Sequence, residues 1–457
     1  MAQASAPPRV LVLTTEPLPL PGCVTTGAGL RAWGLSEGLR HRGFDVIIAS
    51  PALEDGASGP LQLPPHVRAC PRSEIGAMIA EVRPSVVVLQ HWGMAADVPE
   101  LTVPLALDLA GPHLLERLFW GDNDTERNVA EKIAALRRAD FVTCSGEYQR
   151  HYFYPFLAMA GFDLRENCLA VIPFSVPPDA AAAATTARRD PLAFVYGGAF
   201  LAWQDPTRPP EWLLEELDHA GRGTLHFFGG AHPVADASGG RFASLMSTLR
   251  EHPRVIVRGL VAFDDLLTAY RKASVALDLM ARNPERELAF TTRTMIYLYC
   301  GLPVMYNNYS EISGIVRDRG CGWTLDPEDE TGFRRAVRSV LDGTAPLDAM
   351  RRAALMTATD YSWDKTIGPL AEFCANPRQR EGRVAISLAV EARRREADAL
   401  RDERDALRSE LLSIKGRLSY RLLQRLPALG VLAAPFAYLA GWVLAGIVYL
   451  RLRRTTR

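Results

Sequence analysis

The chain has 457 residues, 48% of them hydrophobic and 23% charged, which is too long for one ordinary hydrophobic core. Lysine plus arginine number 52 and aspartate plus glutamate 52, so the formal net charge is zero and no basic excess points to a nucleic-acid partner. The seven cysteines are scattered and form no CxxC pair, which is typical of a protein in a reducing compartment. We therefore expect a multidomain cytosolic protein that does not bind nucleic acid.

The first 180 residues alternate short apolar runs with helix-like stretches. RVLVLTT begins at Arg9, and a stretch with helical apolar spacing over 28–42 precedes FDVIIAS. Alternating strands and helices predict an α/β domain over residues 1–180 with a doubly wound parallel sheet. The later strand-like runs lie at 84–90, 104–110, 140–145 and 169–174.

A second series of strands follows residues 179–190, whose small and polar side chains predict an interdomain linker. The same alternation predicts a second parallel-sheet domain over 190–375. Its strand-like runs lie at 192–198, 224–230, 254–260, 274–280 and 302–308.

The composition changes again after Cys374. Leucines at heptad spacing among dense charges predict a coiled coil over 384–420, and with it a homodimer. Residues 426–450 carry no charge, which predicts a membrane-associated or transmembrane segment. Basic residues flank both ends, so a single crossing and a segment that dips into the cytoplasmic leaflet both remain open.

Four glycines lie where a backbone approaches a ligand in parallel-sheet proteins. Gly27 and Gly29 lie at the start of the first predicted helix, and Gly197 and Gly198 follow the first strand of the second domain. They would bind an anion through backbone amides, or serve only loop geometry and close packing. The loop after the first strand is too long for the nicotinamide dinucleotide fingerprint.

A cation occupies an unusual position in the second domain. Thr291 or Thr292 is a suitable N-cap for a helix that runs to Cys300, and this places Arg293 in the first turn. A positive charge there is unfavourable unless an anion lies nearby, so Arg293 is interpreted as a phosphate ligand. The alternative is a surface ion pair with Glu285 or Glu287.

Several segments together resemble the retaining glycosyltransferases of the GT-B fold, the group often called family four, across residues 9–375. They are GAGLRAWGLSEGLRHRGFDVIIAS, RRADFVTCSGEYQ, VIPFSV, YLYCGLPVMYNN and YSWDKT. The resemblance implies two Rossmann-like domains that face a cleft, with the acceptor on the first domain and a nucleotide sugar mainly on the second. It also implies a last helix that crosses back to the first domain.

The sequence departs from the family's usual site. The family's arginine and lysine after the first strand of the second domain are absent, and Arg293 is the substitute that we propose from the residues. The second of the family's two glutamates would fall at Ile296, which leaves Glu285 as a displaced donor-site candidate and Glu287 as a displaced catalytic candidate.

The resemblance also directs attention to histidine and to the loop at 203–205. His113 stands near the position of the family's cleft histidine and is a catalytic candidate, with His91 as its rival. Trp203, Gln204 and Asp205 either line the donor pocket or cap a loop. Thr292 joins Arg293 among the donor-site candidates.

Two functions fit these observations. The first is metal-independent transfer of a sugar from a nucleotide sugar to a lipid-linked or polysaccharide acceptor at the cytoplasmic membrane face, in cell-envelope polysaccharide biosynthesis, with retention and without a cofactor. The second is a non-catalytic membrane-tethered scaffold with degenerate transferase domains.

Overall fold

The computed structural model describes residues 7–53, 63–180, 190, 192–231 and 242–384, with scattered positions between 396 and 407. Met1–Glu391 is one compact unit and Ala392–Arg457 is another. The predicted coiled coil lies almost entirely outside the described residues, and the uncharged segment at 426–450 lies wholly outside them. Among the helices that are described, none combines the length and the apolar character needed to cross a bilayer.

The described strands fall into two groups separated by the predicted linker. They are β1 (Arg9–Leu13), β2 (Asp45–Ser50), β3 (Val67–Ala69), β4 (Val86–Gln90), β5 (Leu105–Leu109), β6 (Phe141–Cys144), β7 (Ala170–Val171), β8 (Ala193–Phe200), β9 (Thr224–Ala231), β10 (Val255–Val257), β11 (Val275–Asp278), β12 (Val304–Asn307) and β13 (Gly322–Leu325).

Helices connect these strands. They are α1 (Gly27–His41), α2 (Ile75–Val82), α3 (His113–Phe119), α4 (Thr125–Arg138), α5 (Glu147–Met159), α6 (Arg208–Ala220), α7 (Ala243–Glu251), α8 (Phe263–Lys272), α9 (Pro284–Leu288), α10 (Thr292–Tyr299), α11 (Glu311–Arg319), α12 (Glu330–Leu341), α13 (Leu347–Asp360), α14 (Trp363–Thr366) and α15 (Gly368–Ala375).

The two groups of strands form two sheets with the same topology. The first sheet has the order β3-β2-β1-β4-β5-β6-β7 and the second the order β10-β9-β8-β11-β12-β13. The strand pairs are parallel throughout. This confirms the α/β class. The central strands β4 and β5 are buried along their whole length because helices cover both faces of the sheet, and their sequences, VVVLQ and LALDL, are accordingly mostly apolar.

The last helices return to the first domain. At the end of α1, His41 Nδ1 lies 2.8 Å from Asp364 Oδ1, and the neighbouring Arg42 Nη2 donates to the Asp364 carbonyl at 2.6 Å. Phe373 of α15 stacks on Phe141 of β6 with 4.6 Å between ring centroids. Helices α14 and α15 lie inside the range 190–375 of the predicted second domain, but they pack against the first, as the resemblance implies.

Each sheet has a point where the strand order reverses, and this is where ligands bind in open parallel sheets. The reversal lies between β1 and β4 in the first sheet and between β8 and β11 in the second. Contacts between α1 and α10 join the two domains. A Cβ added to Gly27 would lie 3.2 Å from Thr292 Oγ1, so the start of α1 faces the start of α10. The two switch points therefore face each other at the junction of the two domains, which is called the cleft.

Candidate functional site

Arg293 lies in the first turn of α10, as predicted, but its partners differ from those that the sequence suggests. Its Nη1 donates to Asp278 Oδ1 at 2.8 Å, and its Nη2 donates to Gln204 Oε1 at 2.9 Å. The guanidinium carbon lies 4.9 Å from the centroid of the Tyr196 ring. The surface ion pair with Glu285 or Glu287 is not formed. Arg293 is a largely buried cation fixed at the switch point of the second sheet.

Asp278 is the partner that sequence reasoning missed. It ends β11, its side chain is 1% exposed, and it also accepts a hydrogen bond of 2.5 Å from Thr294 Oγ1. The run SVALDLM looks like an ordinary buried strand. What could have identified the partner in this run is the single acid at the end of the strand. A carboxylate that is buried this deeply requires a cation or several hydrogen-bond donors.

Gly198 faces this cluster and leaves room for it. Its φ of +142° is one that side chains disfavour, and a Cβ there would lie 2.3 Å from Arg293 Nη2. Gly197 has a different role. Its amide donates to Tyr297 Oη at 2.9 Å, and an added Cβ would lie 1.7 Å from Tyr270 Oη. Gly198 therefore shapes the candidate donor site, whereas Gly197 packs against two tyrosines.

The two glycines of the first domain also differ in their roles. Gly27 is exposed and lies opposite Thr292, the first residue of α10. The Gly29 amide donates to Thr26 Oγ1 at 3.0 Å, which caps α1, and an added Cβ would lie 2.1 Å from the Pro17 carbonyl oxygen. Gly27 lines the cleft and Gly29 serves close packing.

Thr291, not Thr292, is the N-cap of α10, and its hydroxyl lies 2.8 Å from Tyr306 Oη. Thr292 is thereby left at the cleft surface opposite Gly27. The positive ends of α1 and α10 point towards the same space, which favours an anionic ligand.

The first-domain wall is formed by the start of α3. His113 Nδ1 lies 3.0 Å from Glu116 Oε2, and Arg117 Nε donates to His113 Nε2 at 3.2 Å. Burial, and then the charge of Arg117, lower the pKa of His113 to about 3. His113 is therefore neutral, with both ring nitrogens engaged by protein groups.

His91 follows β4 with a φ of +90°, a strained conformation for a residue with a side chain. Its Nδ1 accepts from the Gly93 amide at 3.0 Å, and its ring centroid lies 4.4 Å from that of His113. Burial lowers its pKa well below the usual value. Both histidines thus lie on the same wall of the cleft and remain uncharged.

Aromatic contacts continue from this wall to the second domain. The ring of Trp120 lies 5.5 Å from His113 and 5.5 Å from Trp203. Next to Trp203, Gln204 accepts a hydrogen bond from Arg293, whereas Asp205 accepts from the Thr207 amide at 3.0 Å and caps the loop before α6. Asp205 therefore caps a loop, and a donor-site role for Trp203 and Gln204 stays a prediction.

The two displaced glutamate candidates pair with arginines other than Arg293. Glu285 is 2% exposed and forms a two-pronged ion pair with Arg286, at 2.5 and 2.7 Å. Glu287 is 42% exposed and pairs with Arg282 at 2.8 Å. Glu285 thus forms a buried ion pair with its neighbour Arg286, and Glu287 forms a surface ion pair on the short helix α9.

A second contact between the two domains is not predicted by the sequence. Glu311, in the first turn of α11, accepts from the Tyr148 amide at 3.1 Å, and an added Cβ at Gly146 would lie 2.4 Å from Glu311 Oε2. A carboxylate of the second domain thus caps the start of α5 in the first. Within the described ranges, no group of three or more metal-ligating side chains is present.

Comparison with known proteins identifies this architecture. No protein-family model matches the chain. The sucrose-phosphate synthase of Thermosynechococcus elongatus superposes with a TM-score of 0.60 at 15% identity, over 80% of this chain and 98% of that one. An alpha-glucosyltransferase in complex with UDP-glucose and DNA superposes with a TM-score of 0.58 at 8% identity, over 81% and 100%. The chain has the GT-B glycosyltransferase fold.

A curated glycosyltransferase is also similar to this chain in sequence. D-inositol 3-phosphate glycosyltransferase 1 of Catenulispora acidiphila is 25% identical over 158 residues, which are 35% of this chain and 37% of the relative. The match therefore spans little more than a third of that protein. Ile296, where the resemblance would place the family's second glutamate, is a buried core residue.

Proposed function

We propose that this protein transfers a sugar from a nucleotide-sugar donor, whose diphosphate binds at the start of α10. The observation that supports this most is the cluster of Arg293, Asp278 and Gln204 against Gly198. It lies at the switch point of the second sheet, and its cation is fixed in position before any ligand arrives.

The same arrangement suits the chemistry of transfer. When the bond between sugar and diphosphate breaks, negative charge develops on the leaving diphosphate. Arg293 and the positive ends of α1 and α10 would stabilise that charge, and little reorganisation would be needed because Asp278 and Gln204 already hold the guanidinium. Arg293 would thus take the place of the arginine and lysine that the family carries elsewhere.

The solved structure with UDP-glucose supports a nucleotide sugar as the donor class, since it shares the fold over 81% of this chain. Binding of the donor is tested by calorimetric titration of the full chain with UDP, GDP, ADP and their glucose or mannose conjugates. We expect one nucleoside diphosphate to bind. If a folded protein binds none of them, the alternative of a non-catalytic scaffold with degenerate transferase domains replaces this proposal.

We further propose a lipid-linked or polysaccharide acceptor, retention of configuration, independence of metal and cofactor, and action at the cytoplasmic face of the membrane. The uncharged segment 426–450 supports a membrane location. A cysteine added after Arg457 should resist a membrane-impermeant thiol reagent in intact cells if the segment dips into the cytoplasmic leaflet. Labelling from outside the cell would show that the segment crosses the membrane once. Release of the full chain from the membrane by salt alone would contradict both the crossing and the dip into the leaflet.

The heptads of 384–420 support a homodimer. Sedimentation of chains that end at residue 384 and at residue 419 should give a monomer and a dimer. Two monomers would contradict the coiled coil.

A further inference from the structure

Residues 379–384 form a strap that follows α15 and lies on the first domain. Its contacts lie at the amino ends of β5 and β6, where the Asp140 amide donates to the Leu105 carbonyl at 2.8 Å. The strands of this sheet are parallel, so their amino ends lie at one end of the sheet, and their carboxyl ends, which meet the cleft, lie at the other. The strap therefore binds at the end of the first sheet that is opposite the cleft.

A single buried carboxylate is at the centre of these contacts. The Asp140 side chain is 0% exposed. Its Oδ1 accepts from the Arg380 amide at 2.8 Å, and its Oδ2 accepts from Arg383 Nη1 at 2.7 Å and from the Leu105 amide at 2.8 Å. Without the strap, Asp140 would lose its cation and two of these three hydrogen bonds. Because a buried carboxylate is costly unless it is paired, the first domain favours a bound strap.

Backbone carbonyls of the loop before β5 accept the other donors of the strap. Arg383 Nη1 donates to the Val103 carbonyl at 3.1 Å, and its Nη2 donates to the Leu101 carbonyl. Gln379 Nε2 donates to the Thr102 carbonyl at 2.8 Å. Three successive carbonyls thus accept from the strap, and the Arg383 side chain is 9% exposed.

The negative ends of two helices surround Arg380. Its Nη2 donates to the Arg137 carbonyl in the last turn of α4 at 3.2 Å, and its Nη1 donates to the Gly161 carbonyl just after α5 at 3.3 Å. Its Nε donates to the Ala139 carbonyl at 3.2 Å, and its guanidinium carbon lies 4.0 Å from the centroid of the Phe162 ring. Carbonyl groups at a helix C-terminus and the face of an aromatic ring both favour a cation. This surface is therefore complementary to arginine.

We propose that this end of the first sheet is a docking surface for an extended segment that carries arginines, and that the strap occupies it and fastens the C-terminal extension to the first domain. The contacts continue to the last residue of the strap, because the Val384 amide donates to the Arg137 carbonyl at 3.0 Å. Helices α14 and α15 also pack on the first domain. The resemblance gives the acceptor to this domain, so the domain that receives the acceptor also carries the extension.

The experiment asks whether the strap stays bound after the chain is cut before it. A protease recognition sequence is inserted between Pro377 and Arg378, which are both exposed, in the full chain with an affinity tag after Arg457. The folded protein is cut in detergent, and the release of residues 1–377 from the tagged extension is followed over time. Arg383→Ala and Asp140→Asn each remove one member of the ion pair. Arg378→Ala, at an exposed arginine of the same fragment, is the matched control.

We expect the cut wild type and Arg378→Ala to keep residues 1–377 bound to the extension. Arg383→Ala and Asp140→Asn should release them at least about 100-fold faster, because both break a buried ion pair. If Asp140→Asn does not fold, Arg383→Ala alone decides.

An excess of a peptide that spans residues 378–384 should also displace the extension from the cut wild type, whereas the same peptide with alanine in place of Arg383 should not. Rapid release from the cut wild type would overturn the proposal, and so would equal retention in wild type and Arg383→Ala.

Discussion

Replacement of Arg293 by alanine should cost both stability and nucleotide binding. The variant leaves the Asp278 carboxylate, 1% exposed, with the Thr294 hydroxyl as its remaining side-chain partner. Removal of one member of a buried ion pair typically costs about 3 to 5 kcal/mol of unfolding free energy. Loss of a charge-assisted hydrogen bond to the diphosphate should weaken binding by about 1.5 to 3 kcal/mol, roughly 10- to 150-fold in Kd.

A double variant separates these two losses. Asp278→Asn with Arg293→Met removes both charges, so no buried charge is left unpaired. We expect it to recover most of the unfolding free energy in urea titrations while calorimetry still shows the weakened binding. If Arg293→Ala unfolds at the same urea concentration as wild type, Arg293 and Asp278 do not form a buried ion pair. If the double variant binds as wild type does, Arg293 does not contact the ligand.

Three further substitutions test other parts of the structure. Gly198→Ala should displace the Arg293 guanidinium and weaken nucleotide binding at least tenfold in calorimetry. Gly230→Ala, whose added Cβ would lie 3.4 Å from its nearest neighbour, should not weaken binding. Equal losses of affinity in the two variants would contradict a specific role of Gly198. Glu311→Ala should lower the unfolding free energy by about 1 to 2 kcal/mol because it uncaps α5, whereas Glu328→Ala, at a surface ion pair, should change it by less than about 0.5 kcal/mol. Lys132→Met should stabilise the protein by about 1 to 3 kcal/mol at pH 7, because the buried Nζ has no hydrogen-bond partner in the described residues. Because burial lowers the pKa of Lys132, the unfolded chain binds more protons than the folded one, and the free energy of unfolding of wild type should rise towards pH 10. The stability difference between Lys132→Met and wild type should therefore shrink over this range. A stability difference that does not change with pH would contradict a titrating lysine.

The sequence predicts the sheets well where strands are buried on both faces. Strands β4, β5, β11 and β12 are mostly apolar, and the sequence predicts all four of them. The edge strands β3 and β13 were not expected, because short and partly exposed strands leave no apolar run. Their pairing with β2 and β12 is decided by the tertiary structure.

The candidate site is only partly predictable for a similar reason. Arg293 stands out because a cation in the first turn of a helix conflicts with the helix dipole. Its partner Asp278 does not stand out, because one acid inside an apolar run does not indicate which cation will pair with it. The roles of Gly29 and Gly197 also depend on contacts with distant residues, at Pro17 and Tyr270. Local sequence identifies positions of unusual chemistry, and the fold decides which of them meet.

Calorimetric titration of the folded full chain with UDP, GDP and ADP tests whether the start of α10 binds the diphosphate of the donor. We expect saturable binding of at least one of these nucleotides, and weaker binding to the double variant of Asp278 and Arg293 although that variant stays folded. Binding of none of them to folded wild type, or equal affinity in wild type and the double variant, would contradict the claim that the start of α10 holds the donor diphosphate.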